Sequence, residues 1–251
     1  MLDYFQNKIS SYSIIYPMLY LIRHAQASYL SDNYDQLSDL GIRQAKSLGT
    51  YLSRSTEIHQ KFVGPHKRQL QTANQIREAY THMNEYMPSP TLIPQLKEHS
   101  GPATLHHHKP LLIKRDPKCI QWHQESIAQP SKLRENSIKI FDHFIPQWMA
   151  GKYAHDGLED FDTFRKEIAE GLDIILKGKQ QEENTLIVTS AGSISAIMAH
   201  LLKIDDINEI AQISLKVNNA SVTTLEPQDK KWKLFRFNQV DHLTDEMKTV
   251  V

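Results

Sequence analysis

The sequence predicts an α/β protein: a three-layer α/β/α sandwich on a doubly wound, mostly parallel sheet, with an inserted lid-like segment. Three observations lead there. The short apolar runs Met18-Leu-Tyr-Leu-Ile22 and Thr185-Leu-Ile-Val-Thr189 have the pattern of strands buried on both faces. Segments with apolar residues at three- and four-residue spacing alternate with such runs, as crossover helices do between parallel strands. Each run also stops abruptly at polar residues, Arg23-His24 in one case and Ser190 in the other.

Residues 1 to 16 form an N-terminal arm without legible structure, and a single domain is expected over 17 to 243. After the first strand, Ser38 is a plausible N-cap, and Leu37, Leu40, Ala45, Leu48 and Leu52 mark a helix from about 38 to 53. A weaker strand is expected around His59 to Val63. Gly64-Pro65 and a helix with the stripe Leu70, Ala73, Ile76 and Tyr80 follow it, with Arg68 near the helix start. From about 100 to 157 the texture changes: prolines, a His106-His107-His108 run and one amphipathic segment, Leu133 to Trp148, that Pro146 should kink or end. This reads as an insertion covering the site. Phe161, Phe164, Ile168, Leu172 and Ile175 give the clearest helix, expected to stop near Gly178. The second buried strand then leads through Ser190-Ala-Gly192 into a helix bearing Ile194, Ile197, Met198 and Leu201. Ser221 to Leu225 and Trp232 to Phe237 read as an antiparallel hairpin finishing one side of the sheet, and 244 to 251 as a tail. Ligands of such sheets bind beyond the C-terminal strand ends, so the exits at His24, Gly64 and Ser190 should converge.

Across 251 residues, acidic and basic side chains balance at 29 each, which leaves no global field to attract nucleic acid or an anionic membrane. An anion site must therefore be built locally. The single cysteine, Cys119, excludes an internal disulfide, and Pro17 interrupts the apolar residues near the N-terminus. The expectation is a cytoplasmic protein without a membrane span.

Arg23-His24 joins an always-charged fork donor to a side chain that is nucleophilic and partly neutral near pH 7. Taken alone, such a dipeptide most often just caps a strand. Its surroundings argue otherwise. Leu21-Ile-Arg-His-Ala-Gln-Ala-Ser28 resembles the Arg-His-Gly signature of the histidine phosphatase (phosphoglycerate-mutase-like) superfamily, and Leu37-Ser-Asp-Leu-Gly-Ile-Arg-Gln-Ala45 resembles the helix that follows it. Arg68-Gln-Leu-Gln-Thr-Ala73 is similar to the second arginine motif, and Leu96-Lys-Glu98 to the segment carrying the acid-base carboxylate. Asn219-Ala-Ser-Val222 and Phe237-Asn238 resemble the closing strands. The resemblance spans roughly 18 to 100 and 160 to 243.

What it implies is a phosphomonoesterase needing neither metal nor organic cofactor. His24 would attack phosphorus, Arg23 and Arg68 would clamp the phosphate, and Glu98 would protonate the leaving oxygen. Glu125 is a more distant alternative for that carboxylate. The main departure is Val188-Thr-Ser-Ala-Gly192, where the family usually carries a second histidine followed by glycine. Ser190 and the N–H groups around Gly192 could still contact phosphate, since a helix N-terminus favours anions, but a hydroxyl brings no imidazolium charge. Ala25 also replaces the signature glycine. Three alternatives follow: a degenerate protein that binds a phosphorylated ligand without turnover, a phosphomutase, and a serine hydrolase using Ser190. The last lacks the leading glycine of a nucleophile elbow, Val188 standing in its place. The His106–His108 run is expected in a solvated loop or the lid rather than around a metal. The expected partner is a small-molecule or protein phosphomonoester, and a homodimer is compatible with this reading.

Overall fold

Leu21 and Ile22 show how the sheet is sandwiched. Adjacent strand residues point to opposite faces, and both are fully buried, Leu21 in one apolar cluster and Ile22 in the other. The computed structural model describes residues 17–28, 35–177, 183–229 and 231–250. Strand β1 (Leu19–Arg23) pairs in parallel with β4 (Thr185–Thr189), Leu21 opposite Ile187 and Ile22 opposite Val188. Strand β2 (Gln60–Val63) lies parallel on the far side of β4, and the two-residue β3 (Thr91–Leu92) lies parallel to β2. On the other side, β5 (Val222–Gln228) runs antiparallel to β1, and β6 (Lys231–Gln239) antiparallel to β5. The order is therefore β3-β2-β4-β1-β5-β6, a mostly parallel sheet closed by the expected hairpin.

Helices α1 (Asp39–Ser53) and α2 (Lys67–His82) cover one face, packing Leu48, Leu52, Ile76 and Tyr80 on Ile22, Val63 and Val188. Ser38 caps α1 as its sequence suggests, its Oγ accepting the Gly41 N–H at 3.0 Å. The opposite face takes α6 (Phe161–Lys177), α7 (Ala191–Leu202) and α8 (Ile207–Lys216). All five apolar residues of the α6 stripe are buried. The expected stop at Gly178 and the N-terminal arm lie outside the described residues.

Between β3 and α6 the chain is more regular than its prolines suggest. It forms three helices, α3 (Gly101–Arg115), α4 (Pro117–Ala128) and α5 (Leu133–Met149). The His106–His108 run is thus helical rather than a loop. Pro146 does not end α5: Phe144 and Ile145 before it and Trp148 and Met149 after it are buried in the core, which holds the last turn in place. Residues 244–250 fold back beside the site. Gln44 Nε2 donates to the Met247 carbonyl (2.6 Å), and the Asn219 N–H donates to the Thr249 carbonyl (2.8 Å). No helix among the described residues is long and apolar enough to cross a membrane.

Candidate active site

Because β1, β2 and β4 are parallel neighbours, their C-terminal ends leave the sheet on one edge, as the sequence pattern requires. The His24 N–H donates to the Thr189 carbonyl (2.8 Å) and the Gly64 N–H to the Val188 carbonyl (3.1 Å), which ties the three exits together. His24 is buried, 6% exposed. Its own carbonyl is clamped from the β5 side by Asn219 Nδ2 (3.2 Å) and the Ala220 N–H (3.3 Å).

The ring's two partners dictate its protonation. Nδ1 lies 2.8 Å from the Ala25 carbonyl, which can only accept, so Nδ1 carries a hydrogen. Nε2 receives the Nε–H of Arg68 at 3.1 Å, and guanidinium can only donate, so Nε2 bears the lone pair. Burial, then the charges of Arg68 and Arg23, hold this imidazole well below its ordinary pKa of 6.5, so the neutral, nucleophilic form dominates at neutral pH. Arg68 extends from the first turn of α2 and is itself buried, with Nη1 2.7 Å from Asp35 Oδ1. The Arg23 guanidinium donates to the Val217 carbonyl and contributes charge to His24.

Glu98 approaches from the turn after β3. One carboxylate oxygen accepts the His99 N–H (2.9 Å), and the other faces the Gly192 N–H in the first turn of α7 (3.4 Å). Gly192 permits this approach: a Cβ there would stand 2.3 Å from Glu98 Oε1 and 2.1 Å from His99 Cδ2. Ser190 is fully buried, and its Oγ accepts from Gln69 Nε2 at 2.8 Å. The hydroxyl keeps its own proton to donate. The fold thus gathers His24, Arg23, Arg68, Glu98, Ser190 and Gly192 at one sheet edge. Glu125 is part of α4, where it accepts from Gln121 Nε2 (2.9 Å).

Sequence reasoning missed Asp35, His66 and Gln69. Asp35 Oδ2 accepts the Lys67 N–H (2.9 Å) while Oδ1 holds Arg68, so it caps α2 and aims the guanidinium at once. His66 Nε2 accepts the Glu98 N–H (3.1 Å). Gln69 spans the floor, from the His66 N–H to Ser190 Oγ and the Leu96 carbonyl. Proximity in sequence to Arg68 was a signal for His66 and Gln69; Asp35, 33 residues away, gave none. A cleft of about 840 Å³ opens beside the loop after His24, lined by Gln26, Ser28 and Ser38 and, from the α3–α5 segment, Lys109 and Arg134.

Away from this edge, Asp116, Cys119 and His143 bring mixed donor atoms within 4.8 Å of one another. Hydrogen bonds account for the group. Asp116 Oδ1 caps α4 through the Lys118 and Cys119 N–H groups, and Oδ2 pairs with His143 Nε2 at 3.1 Å. Burial pushes the Cys119 thiol up to about 11, an unreactive, protonated state.

Among solved structures, a phosphoserine phosphatase from Entamoeba histolytica matches at 18% identity, covering 91% of this chain and 100% of its own (TM-score 0.60). A mycobacterial glucosyl-3-phosphoglycerate phosphatase, in complex with inorganic phosphate, matches at 19% identity with 91% and 100% coverage (TM-score 0.60). A phosphoglycerate mutase from Bacillus anthracis str. Sterne matches at 19% identity with 90% and 94% coverage (TM-score 0.59). These likenesses establish the shared fold. No curated protein matches the sequence. The family comparison matches residues 19–138 and 131–240, most of the chain, and the chain belongs to the histidine phosphatase superfamily, branch 1.

Proposed function

We propose that this protein is a phosphomonoesterase working through a phosphohistidine on His24. The observation that carries the reading is the imidazole itself: buried, neutral, its Nδ1–H fixed by a carbonyl and its Nε2 lone pair held by Arg68. When a phosphate arrives, Arg68 Nε–H transfers from Nε2 to a phosphate oxygen, which frees the lone pair for in-line attack. Arg68 and Arg23 then compensate charge on the equatorial oxygens, and the N–H groups at the start of α7 add fixed dipoles. As the N–P bond forms, the bond from phosphorus to the ester oxygen breaks, and the Glu98 carboxyl gives that oxygen its proton. Water next attacks phosphorus, returns a proton to Glu98 and releases phosphate from His24. The cleft beside residues 26–28 offers the leaving group room.

A second reading, binding of a phosphorylated ligand without turnover, draws support from Ser190, which is engaged by Gln69 and carries no positive charge. Steady-state hydrolysis of p-nitrophenyl phosphate and a phosphomonoester panel between pH 5 and 8 separates the two. The wild type should turn over and His24→Ala should lose about a thousandfold or more. Because the pKa of His24 is depressed, the neutral nucleophile persists to below pH 6.5, and the acid limb of kcat/KM should lie below that value. Equal rates for both proteins on every ester would sink the catalytic reading and leave the binding one.

A further inference from the structure

The site holds a second imidazole that this scheme does not use. His66 occupies the N-cap of α2 with extended backbone (φ −71°, ψ 142°), two residues before Arg68. Its Nε2 accepts the Glu98 N–H at 3.1 Å, and since an amide N–H only donates, the ring in this geometry is neutral with its proton on Nδ1. Nδ1 faces Asp35, 3.8 Å from Oδ2, while the other oxygen of that carboxylate holds Arg68 Nη1 at 2.7 Å. His66 therefore bridges the carboxylate that aims the phosphate-clamping arginine and the backbone of the proposed acid. The charged and titratable groups facing it are Arg68 on its own helix, Asp35 from the segment before α1, Lys97 and Glu98 from the turn after β3, and His24 at the end of β1.

Among the described residues, Arg68 is paired with Asp35 (2.7 Å), and Lys97 is occupied by Glu159 (3.0 Å) and Glu167 (2.8 Å). A phosphate dianion entering this site adds two negative charges beside Asp35, which already draws on Arg68. A proton on His66 would offset Asp35 and leave the guanidinium's charge for the ligand.

We propose that His66 is a proton-gated positioning residue, neutral in the free site and protonated when a phosphate-bearing ligand binds. Protonation places a hydrogen on Nε2, ends its acceptance of the Glu98 N–H, and so couples ligand charge to the seating of the proposed acid. In the free protein, burial and Arg68 hold the His66 pKa below its ordinary value. A bound dianion acts in the opposite direction. Proton uptake is therefore greatest between the free and bound pKa values and absent above both.

The proposal rests on the phosphate-site reading, and calorimetric titration of the full chain with sulfate tests the two separately. Sulfate is a phosphate-shaped dianion with no titrating proton between pH 6 and 8. In buffers of different ionisation enthalpy, the wild type should take up most of one proton at pH 6. His66→Gln keeps a carbonyl oxygen for the Glu98 N–H but cannot carry charge. It should bind sulfate about tenfold more weakly than wild type at pH 6, equally at pH 8, and with the His66-dependent proton lost. Unchanged proton uptake in His66→Gln would assign the proton elsewhere and overturn the proposal. Equal weakening at pH 6 and pH 8 would reduce His66 to a structural acceptor and overturn it too. No sulfate binding by the wild type at either pH would instead refute the phosphate site itself.

Discussion

Ser190 and Gln69 form one packed unit. The Gln69 amide gives one hydrogen to Ser190 Oγ (2.8 Å) and one to the Leu96 carbonyl (3.2 Å), and its Oε1 accepts the His66 N–H (3.0 Å). Both side chains are fully buried. Gly64 makes the room, since a Cβ there would stand 2.3 Å from both Gln69 Oε1 and the Leu96 carbonyl oxygen. An imidazole at position 190 would have to enter volume that Gln69 already fills. Ser190→His alone should therefore lose about 1–3 kcal/mol of stability by overpacking, without faster turnover. Combined with Gln69→Ala, the same substitution should raise turnover on p-nitrophenyl phosphate by about tenfold or more. Urea unfolding and steady-state rates on both variants check this. A faster single variant would contradict it. The residues read from sequence, His24, Arg68, Glu98, Ser190 and Gly192, stand in motifs whose spacing survives without tertiary information. Asp35, His66 and Gln69 were not legible, because a carboxylate before a helix, a histidine at a cap and a glutamine one turn inside look the same on an exposed surface.

Among the elements, β2 carries a buried lysine. Lys61 is buried, 2% exposed, and its Nζ has no hydrogen-bond partner among the described residues. Burial, and secondarily Arg77, lower its pKa from 10.5 to about 8. A lysine with a depressed folded pKa costs stability progressively as pH falls from 10.5 through 8, and the full cost is present at pH 7. Lys61→Met should accordingly stabilise the protein by roughly 2–3 kcal/mol at pH 7 and raise Tm by several degrees, an advantage that shrinks toward pH 10.5. Thermal unfolding at the two pH values measures it, and an unchanged or lower Tm at pH 7 would refute it. The same residue explains why β2 reads weakly, whereas β1 and β4, apolar on both faces, stand out. Helix α3 hides for another reason. Only Gly101, Thr104 and Leu112 are buried along it, so Pro110 and the histidines dominate its sequence without an apolar stripe to announce the helix. The two residues of β3 are both exposed and leave no periodic signal, whereas α8 has one in its buried Ile210, Ala211 and Ser214 but spans only ten residues.

For the molecule as a whole, the sheet order gives position its meaning. Residues 24, 64 and 190 are far apart in sequence, yet parallel pairing of β1, β4 and β2 sets their strand exits side by side. That convergence was legible because buried parallel strands and crossover helices admit few topologies. In the three-helix segment only α5 was legible, as the amphipathic run from Leu133 to Trp148, since α3 and α4 bury few residues and show no stripe. On this architecture, a buried neutral histidine lies beside two arginines at the edge where Glu98 meets the start of α7, and the central claim is that it becomes covalently phosphorylated. The most direct test is to mix wild-type protein with excess phosphomonoester, quench in alkali within the first turnover and map the phosphoryl group by mass spectrometry. The result expected is a base-stable, acid-labile phosphoryl group on His24, absent from His24→Ala. Ester hydrolysis proceeding with no phosphoryl group on His24, and undiminished in His24→Ala, would contradict it.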